Sequence, residues 1–296
     1  MSLKVAKRPK RSKFKSFRPR IHSRHPSHST LRGDELDLLP FKSIVRLGST
    51  TDRIDTITNG GNRIECNTIE AVTNSSNKLK MKRCFSENNV NTAKWYYKDP
   101  GTSRDVFTDG ETNEEIRLNA LEFPIIAKSL YGSRGRGNTK LDTVEELTNW
   151  LVGKNLNRYI FEKFYSYLRE YRLHITEDGC FYTCRKMLKR DAPEENKWQR
   201  HDDNCVWILE DNELFDKPSN WDTIVEHSVN ALKAVGLDIG AVDVKVQSAT
   251  NSNGRRRNNP EFIIIEINSA PSFGSITAEK YKETIPKVLK NKYSND

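Results

Sequence analysis

Two β-branched runs carry acidic residues where apolar side chains are expected, and they constrain the fold more than any other stretch. Residues 240–246 read GAVDVKV and residues 261–274 read EFIIIEINSAPSFG. Each run is too short and too rich in Ile and Val for a helix, and only the polar loop SATNSNGRRRNN separates them. They are therefore predicted as adjacent strands of one sheet. Alternate strand residues face the same way, which puts Glu266 and Asn268 on one face and Ile265 and Ile267 on the other. Asp243 interrupts its own run in the same manner. An ionised carboxylate inside an isoleucine run is costly unless a cation or hydrogen-bond donors compensate it. Two carboxylates and a neutral amide oxygen, with no His or Cys nearby, form an all-oxygen set of the kind that holds Mg²⁺ against nucleotide phosphates. The competing reading pairs Asp243 with Lys245, two residues on, and Glu266 with a loop Arg.

The 296 residues suffice for one large domain or two to three small ones. Mean hydropathy is −0.76 and 30% of residues are charged. No apolar run is long enough for a bilayer, and the N-terminus lacks the apolar segment of a secretory signal, so a cytoplasmic protein without a membrane partner is expected. The five cysteines are scattered and show neither zinc spacing nor a disulfide framework. The net charge of +9 is localised: eleven of the 49 Lys and Arg lie in residues 1–33 with no acid among them, leaving 38 basic and 40 acidic residues elsewhere. Pro, Ser and His punctuate this stretch and no hydrophobic period runs through it, so residues 1–38 are predicted as a disordered basic tail. Clustered Lys and Arg suit nucleic acid or another acidic surface, and a solubilising extension without a partner fits equally.

Residues 41–47, FKSIVRL, read as a first strand closing on Gly48, with Arg46 directed toward whatever lies above the turn. Residues 77–89 form a basic helix with Leu79, Met81 and Phe85 on its apolar side, and residues 90–120 read as irregular around a Trp95-Tyr96-Tyr97 packing cluster. Residues 121–128, LEFPIIAK, form a strand ending in Lys128, followed by GSRGRG at 132–137. A helix over 140–152 carries a capping box, Thr143 with Glu146, and stops at Gly153. A strand entering a glycine-rich loop with basic residues suits a phosphate cradle, although Asn138 and Thr139 stand where a P-loop requires Lys and Ser or Thr. YIFEKF at 159–164 is another strand. Residues 168–176 and 180–188 form a hairpin through Asp178-Gly179. One face of that hairpin presents Glu170, Arg172 and His174, with Arg185 or Lys186 opposite, depending on register. His174 alone reads as a satisfied core or edge histidine. Residues 189–220 read as loop, 221–235 as a helix capped by Asn220 and stopped by Gly236, and 277–290 as a closing helix.

Taken in order, NKLKMKRCF, PIIAKSLYGSRGRG, YIFEKF, REYRLHI, GAVDVKV and EIN resemble the ATP-grasp superfamily, which includes glutathione synthetase, D-alanine ligases and ligases that add glutamate to protein tails. The resemblance covers about residues 77–273. The compact form, with EYRLH and RHDDN, is similar to small phage ATP-grasp proteins taken to be carboxylate-amine ligases, for which host cytoplasm is the expected compartment. It implies an α+β fold in which two antiparallel sheet lobes clasp ATP, with a small N-terminal α/β domain at 39–120 and an ATP-grasp domain at 121–296. Within the latter, 121–165 is the glycine-loop lobe and 166–296 the metal-binding lobe. Lys78 and Lys128 would contact the phosphates, and Gly132, Ser133, Gly135 and Gly137 would belong to the covering loop. Glu162, Lys163 and Phe164 would lie along adenine and ribose, with backbone atoms recognising the base. Arg172, with Arg185 or Lys186, would contact the transferred phosphate. Asp243, Glu266 and Asn268 would ligate two Mg²⁺, with Mn²⁺ as an alternative, and Arg46, Arg200, His201, Asn204 and Ser269 would face the substrate.

The activity so implied is ATP- and Mg²⁺-dependent ligation of a carboxylate to an amine through an acyl phosphate, releasing ADP and phosphate, on an amino acid, peptide or protein tail. The alternatives are a non-enzymatic, basic nucleic-acid-binding or virion-associated protein that keeps the fold, and a phosphotransferase on the same scaffold.

Overall fold

The computed structural model describes residues 15–23, 25–31, 36–51, 64–132, 137–200 and 204–295. Ser133, Gly135 and His201, and residues 1–14 of the basic stretch, lie outside the described residues.

Three sheets organise the chain. The first is parallel, in the order β1 (Arg20–Ser23), β2 (Ser43–Leu47), β3 (Ile64–Cys66). Helices α1 (Ile69–Ser76) and α2 (Lys78–Glu87) follow, sharing Asn77, which ends one and caps the other by accepting from the backbone N–H groups of Leu79 and Lys80. The second sheet is antiparallel and holds β4 (Trp95–Tyr97), β5 (Val106–Asp109), β6 (Glu115–Arg117), β7 (Ile125–Ser129), β8 (Thr139–Leu141) and β9 (Tyr159–Lys163). Its order is β6-β5-β4-β9-β7-β8. Helix α3 (Val144–Leu151) covers it, capped by Thr143, and Gly153 beyond it has φ +73°. The third sheet is antiparallel, β12-β11-β10-β13-β14, from β10 (Arg169–Thr176), β11 (Gly179–Leu188), β12 (Cys205–Leu209), β13 (Ile239–Val246) and β14 (Phe262–Asn268). Helix α4 (Trp221–Val235) backs this sheet and α5 (Ser275–Asn295) closes the chain.

Each sheet buries a face. The five-stranded sheet packs Tyr171, Leu173, Val242, Val244 and Ile264 against α1, α2 and α4. The six-stranded sheet packs Phe107, Ile125 and Phe161 against Leu147 and Leu151 of α3. On its other face Trp95, Tyr97 and Ile160 meet Leu79 of α2, so α2 bridges the two antiparallel sheets. Buried Asn67, at φ +62°, ties the N-terminal sheet to β13: its amide nitrogen donates to the carbonyls of Arg46 and Ile239, and its amide oxygen accepts from the N–H groups of Asp238 and Ile239.

The structure corrects several expectations. Residues 20–23 and 25–31 are not a structureless tail: β1 extends the N-terminal sheet and Leu31 enters its core. Residues 90–120 supply three short strands, β4 paired to β9 with β5 and β6 added outside it, so the division at 120 cuts through one sheet. Loop 189–220 contains β12. Asn220 does not cap α4 through its side chain, which donates instead to Asn259 and Pro260. Ile265 does not join the core, because a bulge in β14 opposite Asp243 and Val244 turns it toward the cavity described next.

Candidate nucleotide and metal site

A cavity of 570 Å³ lies between the two antiparallel sheets. One face of the five-stranded sheet forms its floor, and cross-strand pairing arranges that face in rungs. The middle rung is Cys184, Arg172, Asp243 and Glu266. On one side lies the rung Trp207, Lys186, Glu170 and Lys245. On the other lie Tyr182, His174, Ala241 and Asn268.

The middle rung carries a buried ion pair. Arg172 Nε and Nη2 donate to the two oxygens of Asp243 at 2.7 and 2.8 Å, and Lys186 Nζ stands 3.6 Å from the same carboxylate. Burial alone would raise the Asp243 pKa, but the Arg172 and Lys186 charges outweigh it and hold the acid well below the carboxylate range. The partner of Asp243 is thus Arg172 across the ladder and not Lys245. Glu266, beside Asp243, accepts from the Asn268 amide at 3.2 Å, and no described Lys or Arg forms an ion pair with it. Among the described residues no group of three or more His, Cys, Asp or Glu is placed to hold a metal, so the donor set rests on two carboxylates and the Asn268 amide oxygen.

On the neighbouring rung Lys186 donates to Glu170 at 2.7 Å, with Arg200 Nη1 4.0 Å from the same carboxylate. Arg172 and Lys186 both stack on the face of Trp207, at 5.0 and 5.2 Å. Burial presses the Lys245 pKa down to about 8, with Glu170 opposing the shift.

The upper wall comes from the other sheet. Lys128 donates to Glu162 at 2.7 Å, and buried Lys82 stands 3.5 Å from the same carboxylate, its pKa lowered to about 8 chiefly by burial. Lys78 donates to the carbonyl of Gly132, tying helix α2 to the start of the glycine loop. Six cationic side chains line the cavity, Lys78, Lys128, Lys186, Lys245, Arg172 and Arg200, against three carboxylates, Glu170, Asp243 and Glu266.

The far end, beyond Asn268, is neutral and built of small residues. Gly48 has φ +78°, and a Cβ on it would sit 2.7 Å from that of Ala270. His25 reaches the wall beside a turn, just after it in the chain, that is clamped to the loop after β14. His28 Nε2 bonds to the carbonyl of Pro271 at 2.7 Å, Ser27 Oγ accepts from the N–H of Phe273 at 3.0 Å, and the His28 and Phe273 rings are 4.2 Å apart.

Several residues named from sequence meet here: Lys78, Lys128, Gly132, Arg172, Lys186, Arg200, Asp243, Glu266, Asn268 and Ser269 all line the cavity. Others do not. Arg185 lies on the opposite face of β11, over the Tyr171 ring and donating to the carbonyl of Leu214. Arg46 is buried and paired with Glu65 at 2.6 Å. Lys163 reaches Glu122. The backbone N–H groups of Lys163 and Phe164 bond to the carbonyls of Lys94 and Pro124, each at 2.8 Å, so those donors do not face a base. Glu162 holds Lys128 from behind, and Asn204 donates to the carbonyl of Gln199. Gly137 is exposed, while the adjacent Asn138 lines the cavity. Sequence reasoning missed His25, Gly48, Trp198, Gln199, Trp207, Lys245 and Ile265. Lys245 alone had a signal, being two residues from Asp243 on the same strand face.

No family model matches the sequence, and no curated protein does. Solved structures match the fold. A D-alanine–D-alanine ligase from Bacillus anthracis complexed with ATP superposes at a TM-score of 0.57 and 12% identity, over 86% of this chain and 81% of that one. A biotin carboxylase complex with beta-gamma-ATP from Campylobacter jejuni gives 0.54 and 17%, over 84% and 54%. The ATP-grasp ligase PsnB complexed with a minimal precursor gives 0.50 and 13%, over 83% and 78%.

Proposed function

We propose, from the ATP-grasp fold that this chain has, that it is an ATP- and Mg²⁺-dependent carboxylate-amine ligase acting on an amino acid, peptide or protein tail. The observation that carries the reading is the single sheet face on which Arg172, Lys186, Asp243 and Glu266 stand together, in one cavity with Lys128 of the other antiparallel sheet and Lys78 of α2. D-alanine ligase and PsnB, both ligases by name, share the fold.

The reaction joins two anions, a substrate carboxylate and the γ-phosphate of ATP, so its barrier is mainly electrostatic. Lys78 and Lys128 would hold phosphate oxygens, Lys128 being fixed in place by Glu162. Arg172 and Lys186 would carry the charge that builds on the transferred phosphoryl group and later on the tetrahedral oxyanion formed when the amine attacks the acyl phosphate. Hard carboxylate and amide oxygens are the donors Mg²⁺ takes, so Asp243, Glu266 and Asn268 fit that ion. Bound there, it would neutralise phosphate oxygens and fix in-line geometry. Lys78, by its bond to Gly132, would couple phosphate binding to the position of the glycine loop, which would keep water from the acyl phosphate.

ADP release from MgATP with pooled amino acids and peptides tests the reading, with Glu266→Ala as the control. Stimulation in the wild type that is lost in the variant supports it, and equal release in both removes the assigned site. A phosphorylated product in place of an amide would indicate a phosphotransferase. Nucleic-acid retention lost on deleting residues 1–14, in a chain that binds no nucleotide, would indicate a binding protein.

A further inference from the structure

Lys245 stands apart from the other cations of the cavity. Arg172, Lys186 and Lys128 each hold a carboxylate, and Lys78 holds a backbone carbonyl. Lys245 has neither an ion-pair partner nor a hydrogen bond among the described residues, and its ammonium rests 5.3 Å above the Phe164 ring. A half-buried ammonium without a counter-ion, in a wall already rich in positive charge, is unfavourable unless a ligand supplies the anion.

The register says which part of a ligand that is. Lys245 follows Asp243 by two residues, so its rung lies roughly 7 Å from the Asp243–Glu266 rung. The displacement runs toward Phe164 and away from Asn268 and the neutral far end. Apolar surface for a base lies on that same side, with Ile126 paired across the strands to Lys140, whose own ammonium also sits over Phe164, and with Ile265 on the bulge. A triphosphate whose terminal groups sit over Asp243 and Glu266 would run its chain toward this side and bring its innermost phosphate to Lys245.

We infer that Lys245 binds the α-phosphate of the nucleotide, as a third phosphate-holding lysine contributed by the metal-bearing sheet opposite Lys128. The inference rests on the cavity being the nucleotide site. Lys245 acts there on binding, as a cation that its neighbours Glu170, Lys186 and Arg200 leave without a partner.

The test is equilibrium binding of MgADP, MgATP and adenosine to the full chain, read by calorimetry or by the fluorescence of Trp198 and Trp207 in the cavity wall. Unfolding midpoints establish that each variant is folded. Lys245→Met is expected to weaken MgADP and MgATP by about 10- to 100-fold, the loss of one charge-assisted hydrogen bond, and to leave adenosine unchanged. Lys245→Arg, which keeps the charge, is expected to recover most of the phosphate-dependent affinity. MgADP binding in Lys245→Met equal to wild type, or an equal loss for adenosine, overturns the assignment while leaving the nucleotide site standing. A wild-type chain that binds none of the three removes the nucleotide reading and this inference with it.

Discussion

Arg172 grips both oxygens of Asp243 across neighbouring strands, at 2.7 and 2.8 Å. The same carboxylate is one of the donors proposed for Mg²⁺, so guanidinium and metal would share one set of lone pairs. Removing one partner of a buried pair leaves the other charge uncompensated. Arg172→Met is therefore expected to lose about 3 kcal/mol of stability, and added Mg²⁺ should restore part of it more effectively than in the wild type. Urea unfolding with and without Mg²⁺ checks this; a variant indifferent to the ion would mean that Asp243 does not ligate it.

Glu162 holds two buried lysines, Lys128 at 2.7 Å and Lys82 at 3.5 Å. Burial would raise its pKa, but the two ammonium groups outweigh this and keep it lowered. Glu162→Gln removes the charge and keeps the shape. The expected outcome is a stability loss of about 3 kcal/mol together with weaker MgATP binding, since Lys128 is no longer fixed. Binding at wild-type strength would show that Lys128 finds its position without the carboxylate.

His174 lies wholly inside, its Nδ1 bonded to the Tyr281 hydroxyl at 3.1 Å, and burial pushes its pKa down to about 3, with Arg172 adding to the shift. The unfolded chain takes up this proton near pH 6.5 and the folded chain does not, so the contribution is intact above that pH and is lost as pH falls toward 3. About 2 kcal/mol should disappear between pH 7 and pH 5. Comparing the pH dependence of unfolding in wild type and His174→Gln isolates this share, and identical slopes would refute it.

Asn67 makes four hydrogen bonds through its side chain at a left-handed backbone position. Asn67→Gly keeps the backbone freedom and loses the bonds, leaving buried carbonyls and N–H groups unpaired. A loss of roughly 2 to 4 kcal/mol is expected, with Asn67→Ala losing more because alanine resists φ +62°. Thermal unfolding of the two variants provides the comparison.

The central acids were legible because charge inside an isoleucine run demands an explanation; the two runs are adjacent strands as expected, and their pairing sets Asp243 opposite Glu266. The choice between Arg185 and Lys186 was not legible, for a local reason. Starting from the Asp178-Gly179 turn, unbroken pairing would set Glu170 against Arg185. A bulge at Phe181 shifts the register by one and brings Lys186 opposite instead. The bulge at Ile265 hid a cavity residue in the same way. Strands β4 to β6 escaped detection because segments of three or four residues are too short for a period to emerge. Composition misread residues 20–23 and 25–31, since a basic, Ser- and His-rich stretch carries no pattern that announces burial of Leu31 and His28.

The clamp formed by Ser27 and His28 on the loop carrying Pro271 and Phe273 changes what an N-terminal trimming experiment would report. A shortened product starting at Leu36 would retain every charged group around Asp243 and Glu266, yet lose the imidazole side of the chamber. Because β1 and the core residue Leu31 leave with it, its defect would surface first as a weakened parallel sheet, ahead of any change at the acids.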